Sequence, residues 1–168
     1  MKTDVFNRFF CFLIISFVIQ HGAYAQEASK DEQKKTEIRN LVQSKNYVFV
    51  AQTVLPQSGR SINLTSYYDL KVKGDTLASD LPYFGRAYVA PIDPQEGGIR
   101  FTSGNFSYNE KDRKKGGWNI LLTPKDAIDV REMSLTISEN GYASLQVISN
   151  NRQTIGFNGY VKAAKQIK

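Results

Sequence analysis

From Asn46 onward the sequence alternates apolar and polar residues in short runs, and clusters of Gly, Pro, Asn, Asp or Ser separate these runs. Successive side chains of a β-strand point to opposite faces of a sheet, so a period of two predicts strands with one buried face. Strands joined by tight turns pair antiparallel. The pattern therefore predicts a mainly β fold, an antiparallel meander of about eight strands that forms a curved sheet, a half-barrel or a sandwich.

The predicted strands are bounded by these turn signals. They cover residues 47–55, 61–64, 67–73, 76–79, 86–90, 99–109, 118–123, a run through Met133, Leu135 and Ile137, and residues 142–149 and 154–162. Asn140-Gly141 favours a type I′ hairpin turn. Gly156 and Gly159 interrupt the last strand, and glycine within a strand is typical of a bend or bulge, which favours a curved sheet.

One N-terminal amphipathic helix is predicted at about residues 31–44. Its only apolar stripe at helical spacing consists of Ile38, Leu41 and Val42. This stripe is too narrow for a helix inside a bundle, so we expect the helix to cover one side or end of the sheet.

Residues 1–25 have the three-part layout of a cleavable signal peptide. Lys2 and Arg8 precede an apolar run over residues 9–19, and the small residues Ala23-Tyr24-Ala25 follow it. The run is shorter than the about 20 apolar residues that a membrane span needs. We expect cleavage after Ala25, a single mature domain over residues 26–168 with no transmembrane anchor, and a periplasmic or secreted location.

Cleavage would remove Cys11 and His21, which are the only cysteine and the only histidine of the chain. A mature chain without them cannot form a disulfide, a cysteine or histidine zinc site, a Ser-His-Asp triad or a Cys-His dyad. We therefore expect no enzymatic activity, no catalytic residues, no cofactor and no metal site. This argument does not exclude catalysis by carboxylates alone or a calcium site built from oxygen ligands.

Two charged segments are candidates for chemistry, and both are interpreted as solvated. Asp126 and Asp129 could form an acid pair or a cation site, but they follow Pro124 in a short turn. The basic run at residues 111–115 could meet an anionic partner, yet it is more typical of a hairpin tip. Cleavage would reduce the 22 basic and 16 acidic residues to 20 and 15, and the resulting net charge of +5 favours weak attraction to acidic surfaces. No nucleic-acid partner is expected.

Aromatic residues are concentrated in the middle third of the chain, where they either fill a core or line a pocket. Phe101, Phe106 and Trp118 are interpreted as core residues. Tyr67 lies opposite the apolar face of its strand, and the segment after Pro82 is a turn, so neither position demands burial. The candidate ligand-binding residues are Tyr67, Tyr83, Phe84 and Arg86.

Several short motifs resemble one known family. They are Tyr83-Phe84-Gly85-Arg86, Gly97-Gly98-Ile99 with Phe101, Lys114-Lys115-Gly116-Gly117-Trp118, and Ser138 through Tyr142 followed by Asn151-Arg152-Gln153. Over nearly the whole mature chain the sequence resembles DUF4251, a family of domains of unknown function. The resemblance implies a small exported protein of Bacteroides-type bacteria and no established activity or ligand.

Three function classes remain, and an enzyme is the least favoured of them, because the mature chain has neither a histidine base nor a cysteine thiolate. The first is a non-catalytic envelope module that holds an apolar or amphiphilic ligand on the concave side of the sheet, at Tyr67, Tyr83 and Phe84. The alternative is a protein–protein interaction module of the cell envelope that uses an edge strand or the basic hairpin.

In addition, Asp75-Thr76-Leu77 looks like a short acceptor pattern of Bacteroides-type proteins, which makes Thr76 a possible O-glycosylation site.

Overall fold

The computed structural model describes residues 30–88 and 97–164 as one helix followed by nine strands. Helix α1 covers residues 30–43. The strands are β1 (Asn46–Pro56), β2 (Ile62–Lys73), β3 (Thr76–Leu81), β4 (Ile99–Ser103), β5 (Phe106–Asp112), β6 (Trp118–Pro124), β7 (Val130–Ile137), β8 (Tyr142–Ser149) and β9 (Ile155–Ala163).

All nine strands form one antiparallel sheet in the order β4-β3-β2-β1-β9-β8-β7-β6-β5. The two edge strands, β4 and β5, follow each other directly in the chain. Ser103 still pairs with Leu77 of β3, whereas the Asn105 carbonyl accepts a 2.8 Å hydrogen bond from the Lys125 amide next to β6. Only Gly104 separates these two residues, so the edges of the sheet lie beside each other and the sheet is a nearly closed barrel.

The inward-facing side chains of the barrel form its hydrophobic core. Leu135, Leu145 and Phe157 are directly opposed on β7, β8 and β9, and all three are buried. Phe157 is in turn opposed to the buried Val54 of β1. Burying such a side chain contributes about 1.5–3 kcal/mol, so this row is a main source of stability.

Helix α1 covers one end of the barrel, as its narrow stripe predicts. Ile38 and Val42 are fully buried in the core, and Leu41 packs against it. At the same end the Gly74 amide donates to the Lys45 carbonyl over 2.9 Å. We call this the helical end.

Two tyrosines join β1 to β5 near the helical end. The hydroxyl oxygens of Tyr47 and Tyr108 lie 3.3 Å apart, and Lys45 Nζ lies 4.7 Å from the centre of the Tyr108 ring. Burial raises the pKa of Tyr108 to about 12 and raises the pKa of Tyr47 well above its usual value. Both hydroxyls therefore keep their protons at neutral pH, and their hydrogen bond persists.

The strand predictions differ from the structure in three places. Residues 61–64 and 67–73 belong to the single strand β2, and residues 99–109 are divided between β4 and β5 at Gly104. The predicted strand at 86–90 is wrong for its described part, residues 86–88, where Ala87 forms only an isolated bridge to Arg152. Residues 89 and 90 lie outside the described residues.

The hairpin at Asn140-Gly141 is present, but its predicted turn type is wrong. A type I′ turn needs positive φ at both central residues. Gly141 has a φ of +88°, whereas Lys45 is the one non-glycine residue with positive φ in the described chain. The Asn140 side-chain oxygen accepts a 2.6 Å hydrogen bond from the Ser138 hydroxyl, and the Gly141 amide donates to the Ser138 carbonyl over 2.9 Å. These local bonds hold a longer turn in which only glycine has a left-handed backbone.

Candidate functional site

The end of the barrel opposite α1 is closed by loops, and we call it the loop end. Residues 82–88 leave β3 and pair with the loop between β8 and β9. The Tyr88 amide donates to the Asn151 carbonyl over 2.8 Å, and the Gln153 amide donates to the Arg86 carbonyl over 3.1 Å. Since β2 and β1 lie between β3 and β9 in the sheet, this segment must cross the barrel mouth.

Tyr83 belongs to the segment that crosses the mouth, and its side chain anchors that segment to the barrel. Its ring packs against the hydrophobic core. Its hydroxyl lies 2.9 Å from the Arg86 carbonyl oxygen and 3.1 Å from the Gln153 carbonyl oxygen, and it donates to this pair of acceptors. Burial raises the pKa of Tyr83. Its hydroxyl and much of its ring are thus committed to closing the barrel.

An ion pair ties three loops together beside Tyr83. Arg152 Nε lies 2.7 Å from Asp129 Oδ2, and Arg152 Nη1 donates to the Gly98 carbonyl over 3.1 Å. The Arg152 guanidinium carbon also lies 5.2 Å from the centre of the Tyr83 ring. Sequence reasoning missed this pair, although Arg152 lies within one of the family motifs. Asp129 is therefore not the solvated loop acid that we predicted.

Asp126 has a different set of partners from Asp129. The Ser103 hydroxyl is the main cause of a lowered pKa at Asp126, and backbone amides including those of Gly104 and Asn105 act in the same direction. Asp126 therefore stabilises the point at which the chain passes from β4 to β5. The two carboxylates thus contact different parts of the chain, Asp126 at the passage from β4 to β5 and Asp129 at the ion pair with Arg152.

Of the exposed apolar side chains, three lie in the segments that close the mouth, outside the strands. They are Phe84, Tyr88 and Ile128, and Ile128 is 91% exposed. Asn150 Nδ2 donates to the Ile128 carbonyl over 3.0 Å, while the adjacent Asn151 carbonyl accepts from the Tyr88 amide. Tyr88 and Ile128 are thus held on either side of the same short loop.

Basic side chains accompany these apolar residues. Arg86 lies between Phe84 and Tyr88 in sequence, Lys125 precedes Ile128 by three residues, and both cations are exposed. Exposed apolar side chains next to cations are typical of surfaces that meet amphiphilic molecules with an anionic group.

Tyr67 lies away from this cluster. Tyr68, Leu70 and Val72 of β2 point to the core, so Tyr67 lies on the outer wall of the barrel, where it is exposed. Lys162 Nζ of β9 lies 5.0 Å from the centre of its ring. The expectation that Tyr67 shares a concave surface with Tyr83 and Phe84 is therefore wrong. The structure groups Tyr83, Phe84 and Arg86 in one segment and leaves Tyr67 apart.

The other predicted features lie on the surface. Thr76 is exposed at the start of β3, directly after the turn in which Gly74 has a φ of +55°. The basic run forms the tip of the β5–β6 hairpin, where the Arg113 amide donates to the Gly117 carbonyl over 3.0 Å. Lys114 is exposed there.

Within residues 30–88 and 97–164, no group of three or more His, Cys, Asp or Glu side chains is arranged to hold a metal ion. Over the same residues, no helix is both long and apolar enough to cross a membrane.

The helix and the strand order define a class, a nearly closed antiparallel β-barrel covered by one helix at one end and by loops at the other. A family model described as "Domain of unknown function (DUF4251)" matches residues 29–161, so the chain belongs to the DUF4251 family. The fold is similar to the crystal structure of a DUF4251 family protein from Bacteroides eggerthii. The TM-score is 0.59 at 17% identity, over 80% of this chain and 91% of that chain. No curated protein matches this chain.

Proposed function

We propose that this protein is a non-catalytic binding module whose loop end takes up an anionic amphiphile, such as the surface of an acidic lipid layer. The observation that carries the proposal is the exposure of Phe84, Tyr88 and Ile128 around a mouth that hydrogen bonds and an ion pair hold closed. Exposed apolar side chains grouped on one end of a domain mark a site of interaction.

The ligand surface in this proposal is the outside of the mouth, because the inward-facing residues already pack against one another. Phe157, Leu145 and Leu135 are buried in the same core, and Tyr83 packs against that core from the mouth. An apolar molecule that enters the barrel would have to displace these side chains. An amphiphile that contacts the loop tips would not.

Charge favours an anionic partner. Arg86 and Lys125 are exposed next to the apolar residues, and Arg60 is exposed in the β1–β2 turn of the same end. A cation near an acidic lipid surface contributes about 1 kcal/mol. Two or three cations together with partial insertion of Ile128 and Tyr88 would give binding that is reversible and sensitive to salt.

We also propose that the protein is exported and acts in the periplasm or outside the cell, in the cleaved form that begins at Gln26. The signal-peptide layout of residues 1–25 supports this proposal. Amino-terminal sequencing of the protein purified from the envelope fraction of its native cells tests it. Gln26 as the first residue supports export, and a chain that retains Met1 overturns it.

Sedimentation with lipid vesicles tests the binding proposal. The purified protein should sediment with phosphatidylglycerol vesicles and much less with phosphatidylcholine vesicles, and added salt should release it. The double variant Tyr88→Ser with Ile128→Ser should bind at least about tenfold more weakly, because it removes two apolar side chains from the contact.

Tyr142→Ser is the matched control, because Tyr142 is 67% exposed on the outer wall and Tyr88 is 66% exposed at the mouth. This control should sediment like the unmodified protein. Absence of sedimentation with either vesicle, or equal loss in the control and the double variant, would overturn the proposal. The protein–protein alternative would then be favoured, through the short edge strands β4 and β5 or the β5–β6 hairpin.

A further inference from the structure

A row of uncharged polar side chains crosses the outer wall of the barrel. Each member is directly opposite the next on the neighbouring strand, from β6 through β7, β8, β9 and β1 to β2. The members of this polar row are Asn119, Thr136, Ser144, Asn158, Thr53 and Asn63. Neighbouring strands lie about 4.8 Å apart, so six strands carry hydrogen-bonding groups along about 24 Å.

The polar row is partly ordered by its own hydrogen bonds. The Thr136 hydroxyl donates to Asn119 Oδ1 over 3.0 Å, and the Thr53 hydroxyl donates to Asn63 Oδ1 over 3.4 Å. The amide groups of both asparagines keep their NH₂ donors for other partners. Side chains that are held in place lose less conformational entropy when a ligand binds.

An aromatic pair lies beside the polar row on its helical side. Tyr142 and Tyr160 are directly opposed on β8 and β9, two residues from Ser144 and Asn158 respectively. Tyr142 is 67% exposed, so much of its ring is available. A shallow cleft of about 420 Å³ runs past Tyr142, Thr136, Ser144 and Asn158, with Gln52 and Arg113 also along it.

The local backbone gives this cleft its shape. The register between β1 and β9 shifts between Ala51 and Thr53, so Gln52 forms a bulge opposite Gly159 and Asn158. Gly159 carries no side chain and lies against the backbone of Val50, which brings the two strands close together. A bulge bends a strand and changes the direction of its side chains.

The charge distribution limits what this wall can bind. The next row toward the loop end contains Ser134, Gln146 and Gly156, which are also uncharged. The members of these two rows carry no charge, and the charged residues next to them are Lys111, which lies opposite Asn119 at the end of the polar row, and Arg113, which lies along the cleft. A nucleic acid would need a line of cations along its path, and this wall has none among the described members of the two rows.

We propose that the polar row and Tyr142 bind a linear neutral oligosaccharide that lies across the strands. A sugar ring presents an apolar face that stacks on an aromatic side chain, and it presents hydroxyls that exchange hydrogen bonds with amide and hydroxyl groups. The even spacing of hydrogen-bonding groups along the polar row suits a chain of repeating sugar units. This site is on the side wall and is independent of the loop end.

Calorimetric titration of the purified protein with three neutral hexasaccharides tests this proposal. The probes are the β-1,4-linked hexamers of glucose, mannose and xylose. At least one should bind with a Kd at or below the millimolar range. Tyr142→Ala should weaken that binding at least about tenfold through the loss of stacking, and Tyr142→Phe should retain most of it.

A second variant in the polar row keeps the proposal falsifiable. Asn158→Ala should weaken binding several-fold, because it removes hydrogen-bonding groups from the centre of the row. Tyr88→Ser at the mouth is the control and should leave sugar binding unchanged. Absence of binding by all three hexamers at ten millimolar, or binding that survives both Tyr142→Ala and Asn158→Ala, would overturn the proposal. Vesicle binding is measured separately, so failure of one proposal is distinguishable from failure of the other.

Discussion

Arg152 Nε lies 2.7 Å from Asp129 Oδ2 and joins the β8–β9 loop to the β6–β7 loop at the mouth of the barrel. The same guanidinium donates through Nη1 to the Gly98 carbonyl at the start of β4. Three loops that are distant in sequence therefore share one cation. The planar guanidinium presents several donors in fixed directions, which suits these simultaneous contacts.

Asp129→Asn should destabilise the protein by about 1–3 kcal/mol, because it removes the charged carboxylate that lies 2.7 Å from a largely buried guanidinium. Arg152 is 12% exposed. The control is Asp80→Asn, which breaks the Arg100–Asp80 pair at a similar distance of 2.8 Å, with Arg100 60% exposed. That change should cost less than about 1 kcal/mol. Urea unfolding of both variants measures the difference, and equal losses would contradict a special role for the mouth pair.

Gly159→Ala should destabilise the barrel strongly, by about 1–3 kcal/mol or more, because a Cβ at this position would overlap the Val50 carbonyl oxygen. Gly156→Ala in the same strand is the matched control, since its Cβ would meet Leu55 no closer than 3.4 Å. The control should change stability by less than about 1 kcal/mol. Thermal unfolding compares the two, and tolerance of Gly159→Ala would show that β1 and β9 can move apart freely.

Stability should fall on acidification in part through Asp126. The pKa of Asp126 is lowered in the folded state, chiefly by the Ser103 hydroxyl. A depressed pKa contributes stability that is present above the unfolded value and is lost as the pH falls through the folded value. Asp126→Asn should therefore lose less stability than the unmodified protein when the pH is lowered from 5 to 2. Asp75→Asn, in the exposed β2–β3 turn, is the control, and parallel curves for all three proteins would refute the role of Asp126.

Thr76 should carry an O-glycan in protein isolated from its native envelope. The residue is exposed at the start of β3, so a transferase can reach its hydroxyl in the folded protein. Peptide mass mapping should find added sugar mass on the peptide that contains Thr76, and Thr76→Val should remove it. An unmodified Thr76 in native material would exclude the modification.

The strands and the helix could be predicted well because their signals are local. The burial of Leu135 and Leu145 follows the alternation of their strands, and that of Ile38 and Val42 follows helical spacing. The sequence also predicts the hairpin at Asn140-Gly141, although not its turn type, since glycine supplies the left-handed residue that the turn needs. These features depend on residues that are close in sequence.

The candidate site could be predicted only in part. The alternation of apolar and polar residues correctly places Tyr67 on the opposite face of β2 from Tyr68, Leu70 and Val72. It does not reveal which face of the sheet becomes the inside of a barrel. Tyr83, Phe84 and Arg86 were recognised together because they are adjacent in the chain. The partners that hold Tyr83, at Gln153 and Arg152, lie about seventy residues away.

By itself the sequence determined the helix and most of the strands, and it determined the absence of cysteine and histidine beyond residue 21. Tertiary structure decided how the elements close on one another. At Gly104 the chain stops pairing with β3 and begins to pair beside β6. This change of partner requires strands that are distant in sequence to meet. The ion pair at Arg152 and the polar row across six strands have the same origin. Each depends on register between strands, which is set by packing of the whole barrel and not by any local pattern of residues.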